Sequence, residues 1–175
     1  MGMKTAAPIS VDEYLRTTYD PDCDYVDGEV IERNVGERSH GELQFELARL
    51  FRVTHRLDWH THAFIEQRIQ VSQTRFRIPD VCVYVGEKPK EQVLRTPPFI
   101  CIEILSPEDR VARIQERIDD YLAFGVSYVW VINANNHRAW VHTSDGSREA
   151  KDGILRTENP ELTVNLPEIF AGIED

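Results

Sequence analysis

Two carboxylates sit inside the two most strand-like runs of this chain. Ile78-Pro79-Asp80-Val81-Cys82-Val83-Tyr84-Val85 and Phe99-Ile100-Cys101-Ile102-Glu103-Ile104-Leu105 are β-branched, aromatic and apolar, and each carries one acid. Ionised carboxylates are almost never fully buried unless they are paired or bound to a metal. A strand sends successive side chains to opposite faces. Asp80 is therefore expected to share a face with Cys82 and Tyr84, and Glu103 with Cys101 and Leu105. Two hard-oxygen ligands at one depth on neighbouring strands suit Mg²⁺ or Mn²⁺, an ion that polarises a phosphoryl oxygen and acidifies water. A cationic side chain then completes such a site by stabilising the developing charge. The chemistry expected of such a site is metal-assisted phosphodiester hydrolysis. A structural alternative stays open at this point: Asp80 caps a local turn and Glu103 pairs with a buried arginine.

The elements that must position these residues read as one domain over 1–175, with apolar residues at 41% and charged residues at 29%, ordinary for a globular chain. No run approaches a membrane span and the start lacks the apolar core of a signal peptide, so no membrane partner is expected. Cys23, Cys82 and Cys101 make neither a paired framework nor a metal-ligand spacing, which points to a reducing cytoplasm. The net charge of −10 disfavours indiscriminate binding to a nucleic-acid backbone. That is offset locally by Arg49, Arg52, Arg56, Arg68, Arg75 and Arg77, and by the row Arg110, Arg113 and Arg117; solvated arginines scattered on a surface are the plain alternative.

Residues 1–9 read as a loose leader. Ser10 with Glu13 fits a capping box and opens a short helix carrying Val11, Tyr14 and Leu15. Asp24 to Glu32 reads as a hairpin around Asp27-Gly28. Ser39 with Glu42 predicts a second capping box and a helix to about His55, buried along Leu43, Leu47, Leu50 and Phe51. Glu42 is either the box's acid or a metal- or water-positioning group. Trp59 to Val71 contains a strand whose Ile65, Ile69 and Val71 share a face with Gln67, a weaker candidate for orienting water. His55, Asp58, His60 and His62 lack zinc spacing and read as surface residues. Gln73-Thr74-Arg75 turns into the Asp80 strand, with Pro79 at its start. Residues 86–98 form the longest turn-rich connection. After the Glu103 strand, Ser106 or Asp109 caps a helix bearing Val111, Ile114, Ile118, Tyr121 and Leu122, ended by Gly125. The run 128–132 is a buried strand parallel to the Glu103 strand, 137–142 is its return partner, further short strands follow, and Leu166–Phe170 makes a terminal cover. Together these predict an α/β (α+β) fold with a mixed central β-sheet flanked by helices.

Ile78-Pro79-Asp80-Val81, Glu103-Ile104-Leu105-Ser106-Pro107 and Tyr121-Leu122-x-x-Gly125-Val126-x-Tyr128-x-Trp130-x-Ile132, with the Asp24–Glu29 hairpin and the His40 helix, resemble a large restriction-endonuclease-like family of the PD-(D/E)XK nuclease superfamily. The resemblance covers nearly the whole chain. It implies a restriction-endonuclease-like fold, Asp80 and Glu103 as the carboxylates of a Mg²⁺ (or Mn²⁺) site, Glu42 as a third acidic group, DNA as substrate and, by analogy with enzymes that cut two strands, a homodimer. The superfamily's lysine falls on Leu105 here. The resemblance places its replacement on the next helix, at Arg117 first and Arg113 second. An arginine clamps charge but carries protons poorly at neutral pH. The alternative function is accordingly a catalytically impaired nuclease-fold protein that binds nucleic acid or a protein partner.

Overall fold

The computed structural model describes residues 7–34 and 36–174; most of the expected leader, residues 1–6, lies outside them. Ser10 caps α1 (Val11–Arg16) as predicted, its hydroxyl accepting the Glu13 N–H at 3.1 Å. The hairpin follows as β1 (Asp24–Val26) and β2 (Glu29–Ile31). Asp27 and Gly28 sit at φ 50° and 99°, the left-handed pair that a tight hairpin demands. A Cβ on Gly28 would lie 2.7 Å from Pro8 Cβ, so the turn needs glycine on two counts.

The long helix α2 runs Arg38–Trp59, two residues earlier and about four later than expected. Its cap is Glu37, which makes no side-chain capping bond, so the Ser39–Glu42 box does not form. Next, β3 (Thr61–Ile65) and β4 (Ile69–Ser72) replace the single strand expected between Trp59 and Val71. Glu66, at φ 48°, breaks the run and sends its halves to different sheets. A short β5 (Arg75–Arg77) returns beside β4, and β6 (Val81–Val85) begins only after Pro79-Asp80. Asp80 thus stands at a bend before the strand, not within it. Then come β7 (Ile100–Leu105), α3 (Val111–Phe124), β8 (Tyr128–Asn133), β9 (Ala139–Thr143), β10 (Gly146–Glu149), β11 (Ile154–Arg156), β12 (Thr163–Asn165) and α4 (Leu166–Glu174). Arg110 precedes α3 as its cap residue, while Asp109 accepts the Ser106 N–H at 2.7 Å. Gly125 ends α3 at φ 109°. Val111, expected in the apolar stripe of α3, is 86% exposed.

The central sheet is mixed, in the order β10-β9-β8-β7-β6-β3, with β7–β8 its parallel pair. β2-β1-β5-β4 form a second sheet, and β11 pairs with β12. The central strands are buried on both faces, and their alternation sorts two cores. Val81, Val83, Ile100, Ile102, Ile104, Trp130 and Ile132 pack beneath α2 and α4. Cys82, Tyr84, Cys101, Val129 and Val131 pack beneath α3 and β4 with Ile118, Tyr121 and Ile69. Each such side chain, fully buried, stabilises by roughly 1.5–3 kcal/mol. Glu103 falls on the α3 face between Cys101 and Leu105, as expected, and in register with Val131. A carboxylate there interrupts an apolar layer. Something must answer it.

Candidate active site

Asp80 and Glu103 are 3% and 2% exposed. The β6–β7 ladder ends with Val81 opposite Ile102. One step beyond, the Asp80 side chain takes over from the backbone, and its Oδ2 accepts the Ile104 N–H at 2.7 Å. That bond fixes Asp80 against the β7 position next to Glu103. Of the open alternative, the local-turn cap is not what Asp80 makes, since this oxygen closes a ladder 24 residues away, while the other half, Glu103 paired with a largely buried arginine, is present. Its other oxygen, Oδ1, accepts from Arg33 Nη2 at 2.8 Å and His40 Nε2 at 3.2 Å. Arg33 lies in the connector after β2. His40 and Gln44 lie one turn apart on α2, and Gln44 Nε2 donates to the Asp80 carbonyl at 2.9 Å.

Glu103 is answered from α3. Tyr121 Oη donates to Oε1 at 2.6 Å and Arg117 Nη1 to Oε2 at 2.8 Å. The four-residue step from Arg117 to Tyr121 puts both on one helix face. Arg117 Nε also donates to Asp24 Oδ2 at 3.1 Å. Asp24, fully buried at the start of β1, accepts Arg77 Nη1 on that same oxygen and the Ile78 N–H on its other, each at 3.1 Å. Arg77 in turn reaches Asp120 at 2.6 Å. This buried carboxylate joins the Arg117 helix to the corner that carries Asp80.

The electrostatics separate the two acids. Burial pushes Asp80 up, but the His40 hydrogen bond and the Arg33 and His40 charges outweigh it and hold the carboxyl below the usual range. Burial pushes Glu103 up to about 7, against the pull of Arg117 and with the push of Asp80. His40 is drawn down by burial yet held above its ordinary value by Asp80.

Of the residues expected in the site, Asp80, Glu103 and Arg117 come together. Glu42 does not join them: its partner is Arg38, at 3.5 Å on the same helix, and its Oε2 is buried without a partner among the described residues. Gln67 donates its side-chain amide N–H to the Gln92 carbonyl at the surface. Arg113 is exposed and lines, with Arg33, Arg77 and Arg117, a cleft of about 230 Å³ beside the site. A larger groove, about 1090 Å³, lies at the other end of the strands by Val85 and Tyr128 and does not touch the carboxylates. Among the expected surface histidines, His55 and His62 bond backbone carbonyls, and no group of three His, Cys, Asp or Glu residues that could hold a metal occurs among the described residues. Arg33, Gln44 and Asp24 had no signal in the sequence beyond their residue type.

The sequence profile of a family described as "Uma2: Putative restriction endonuclease" matches residues 11–174. The chain belongs to the Uma2 family. No curated protein matches it. A crystal structure of a "putative nuclease belonging to DUF820" from Anabaena variabilis superposes with a TM-score of 0.81 at 20% identity, covering 95% of this chain and 99% of that one. The likeness shows a shared fold. In this Uma2 chain, the residues available to a hard divalent ion are Asp80 and Glu103. The donor chemistry fits: Mg²⁺ commonly takes one or two carboxylates and keeps waters for the remaining positions. The cations already gathered on both acids show how strongly the spot draws positive charge.

Proposed function

We propose that this chain is a Mg²⁺- or Mn²⁺-dependent DNA endonuclease that hydrolyses phosphodiester bonds and works as a homodimer, one site per strand. The observation that carries the reading is a pair of nearly inaccessible carboxylates, one at the bend that leads into β6 and one in the neighbouring β7, flanked by Arg33, His40 and Arg117. When bound, a divalent ion supplies Lewis acidity and acidified water. The chain's own residues do the rest. Asp80 is aimed by the Ile104 N–H, and Glu103 by Tyr121. Arg117, braced by Asp24, is a fixed positive charge for the oxygen that becomes more negative. It cannot serve as the proton carrier. The family description also supports a nuclease.

The test is nicking of supercoiled plasmid with Mn²⁺ by wild type, Asp80→Asn and Glu103→Gln. Activity that survives both substitutions unchanged would place the chemistry elsewhere. A second reading has its own observation: Leu105 stands where the superfamily lysine falls, and the chain carries −10 charges. On that reading the fold binds nucleic acid or a protein without cutting. Absence of both nicking and Mn²⁺ binding in wild type would favour it.

A further inference from the structure

The donors on the two carboxylates are not equivalent. Arg117 stands on α3 and is held by two acids, Glu103 and Asp24. Arg33 has no such brace. It lies in the connector between β2 and α2, outside any ladder. Its side chain is 9% exposed, and its one ion pair among the described residues is with Asp80 Oδ1 at 2.8 Å. Its Nε is buried with no partner among the described residues. A buried donor left unpaired bears its full desolvation cost. The adjacent Asn34 makes one side-chain bond among the described residues, at the surface, 2.8 Å to Asp109. The oxygen that Arg33 occupies carries no backbone donor: it takes only the side chains of Arg33 and, more distantly at 3.2 Å, His40, whereas Oδ2 closes the ladder.

A divalent ion bonded to Oδ1 at about 2.1 Å would lie within a few ångströms of the guanidinium. Two such cations on one oxygen repel strongly in a buried setting. We infer that Arg33 is the resident cation of this centre: its guanidinium occupies Asp80 Oδ1 when no ion is bound, and Arg33 and the divalent ion exclude each other there. The inference rests on the metal-dependent reading above. Arg33 thereby sets the ion affinity and substitutes for the ion in the metal-free fold. Arg117 stays in place in both states.

Calorimetric Mn²⁺ titration of the full chain tests this, comparing wild type, Arg33→Gln, Arg33→Lys and Asp80→Asn. Arg33→Gln should bind Mn²⁺ at least about fivefold more tightly than wild type, and its metal-free melting temperature should fall. Arg33→Lys, which keeps the charge, should stay within about twofold of wild type, and Asp80→Asn should not bind. Equal or weaker binding by Arg33→Gln, with binding still lost in Asp80→Asn, would overturn the exchange and leave the metal site standing. No binding by either wild type or Arg33→Gln would overturn both. Should Arg33→Gln fail to fold, wild type decides: saturating Mg²⁺ should move the Arg33 Nε–H resonance, identified by its loss in Arg33→Lys. An unmoved resonance at saturation would refute the exchange.

Discussion

At the scale of single residues, the site divides its labour between groups that fix and groups that charge. Asp80 Oδ2 and Tyr121 fix; Arg117, Arg33 and His40 supply charge. Loss of the Arg117 guanidinium in Arg117→Ala should lower plasmid nicking by about 100-fold or more, the range found when one preorganised donor is removed from a transition state. Arg117→Lys should recover part of that, and Mn²⁺ binding should persist in both variants. The raised Glu103 carboxyl gives a second expectation. Its proton is held more tightly in the fold than in the unfolded chain, so raising the pH toward 7 costs stability through this group. The same deprotonation frees a ligand. Mn²⁺ affinity measured by calorimetry should therefore rise by about tenfold from about pH 6 to about pH 8, because only the ionised carboxylate binds.

At the scale of elements, Asp24 couples three of them: β1, the Ile78 corner and α3. Asp24→Ala leaves Arg77 buried without its fully buried partner and frees Arg117. Removing one member of a buried ion pair costs about 3–5 kcal/mol. The denaturation midpoint should drop accordingly, while α2 and the β7–β8 unit keep their helix and sheet signals by circular dichroism. The elements also show which parts of the site could be read in advance. Asp80 and Glu103 were legible because a carboxylate in an apolar run has no local use. Asp24 and His40 were not, because a polar residue beginning a hairpin or a helix already has a local reason to be there. Arg117 became visible only through the family resemblance, since three arginines on one helix look alike until a partner strand selects one. The split of Trp59–Val71 was hidden for a related reason. Both halves are apolar, and Glu66 in a left-handed conformation carries no distinctive residue type.

At the scale of the whole molecule, part of the basic runs is engaged in ion pairs within the chain, while Arg52 and Arg56 stand exposed on α2. Arg49, Arg68, Arg75 and Arg77 are each ion-paired within the chain. Arg110 and Arg113, exposed beside the cleft at the site, are better placed to meet phosphates. The fold class, the sheet order around β7 and the cover by α4 followed from periodicity and turn chemistry, whereas the second sheet depended on pairings between distant short strands. Among the described residues no helix is long and apolar enough to cross a membrane. Light scattering should give about twice the chain mass of 20.3 kDa if two sites act on two strands; a strictly monomeric species at working concentration would remove the dimer from the account. The most direct test of the central claim is Mn²⁺ calorimetry on wild type beside Asp80→Asn and Glu103→Gln. Micromolar binding of a single ion per wild-type chain, lost in Asp80→Asn and strongly weakened in Glu103→Gln, is predicted. Binding that is absent from wild type, or unchanged in both variants, would contradict it.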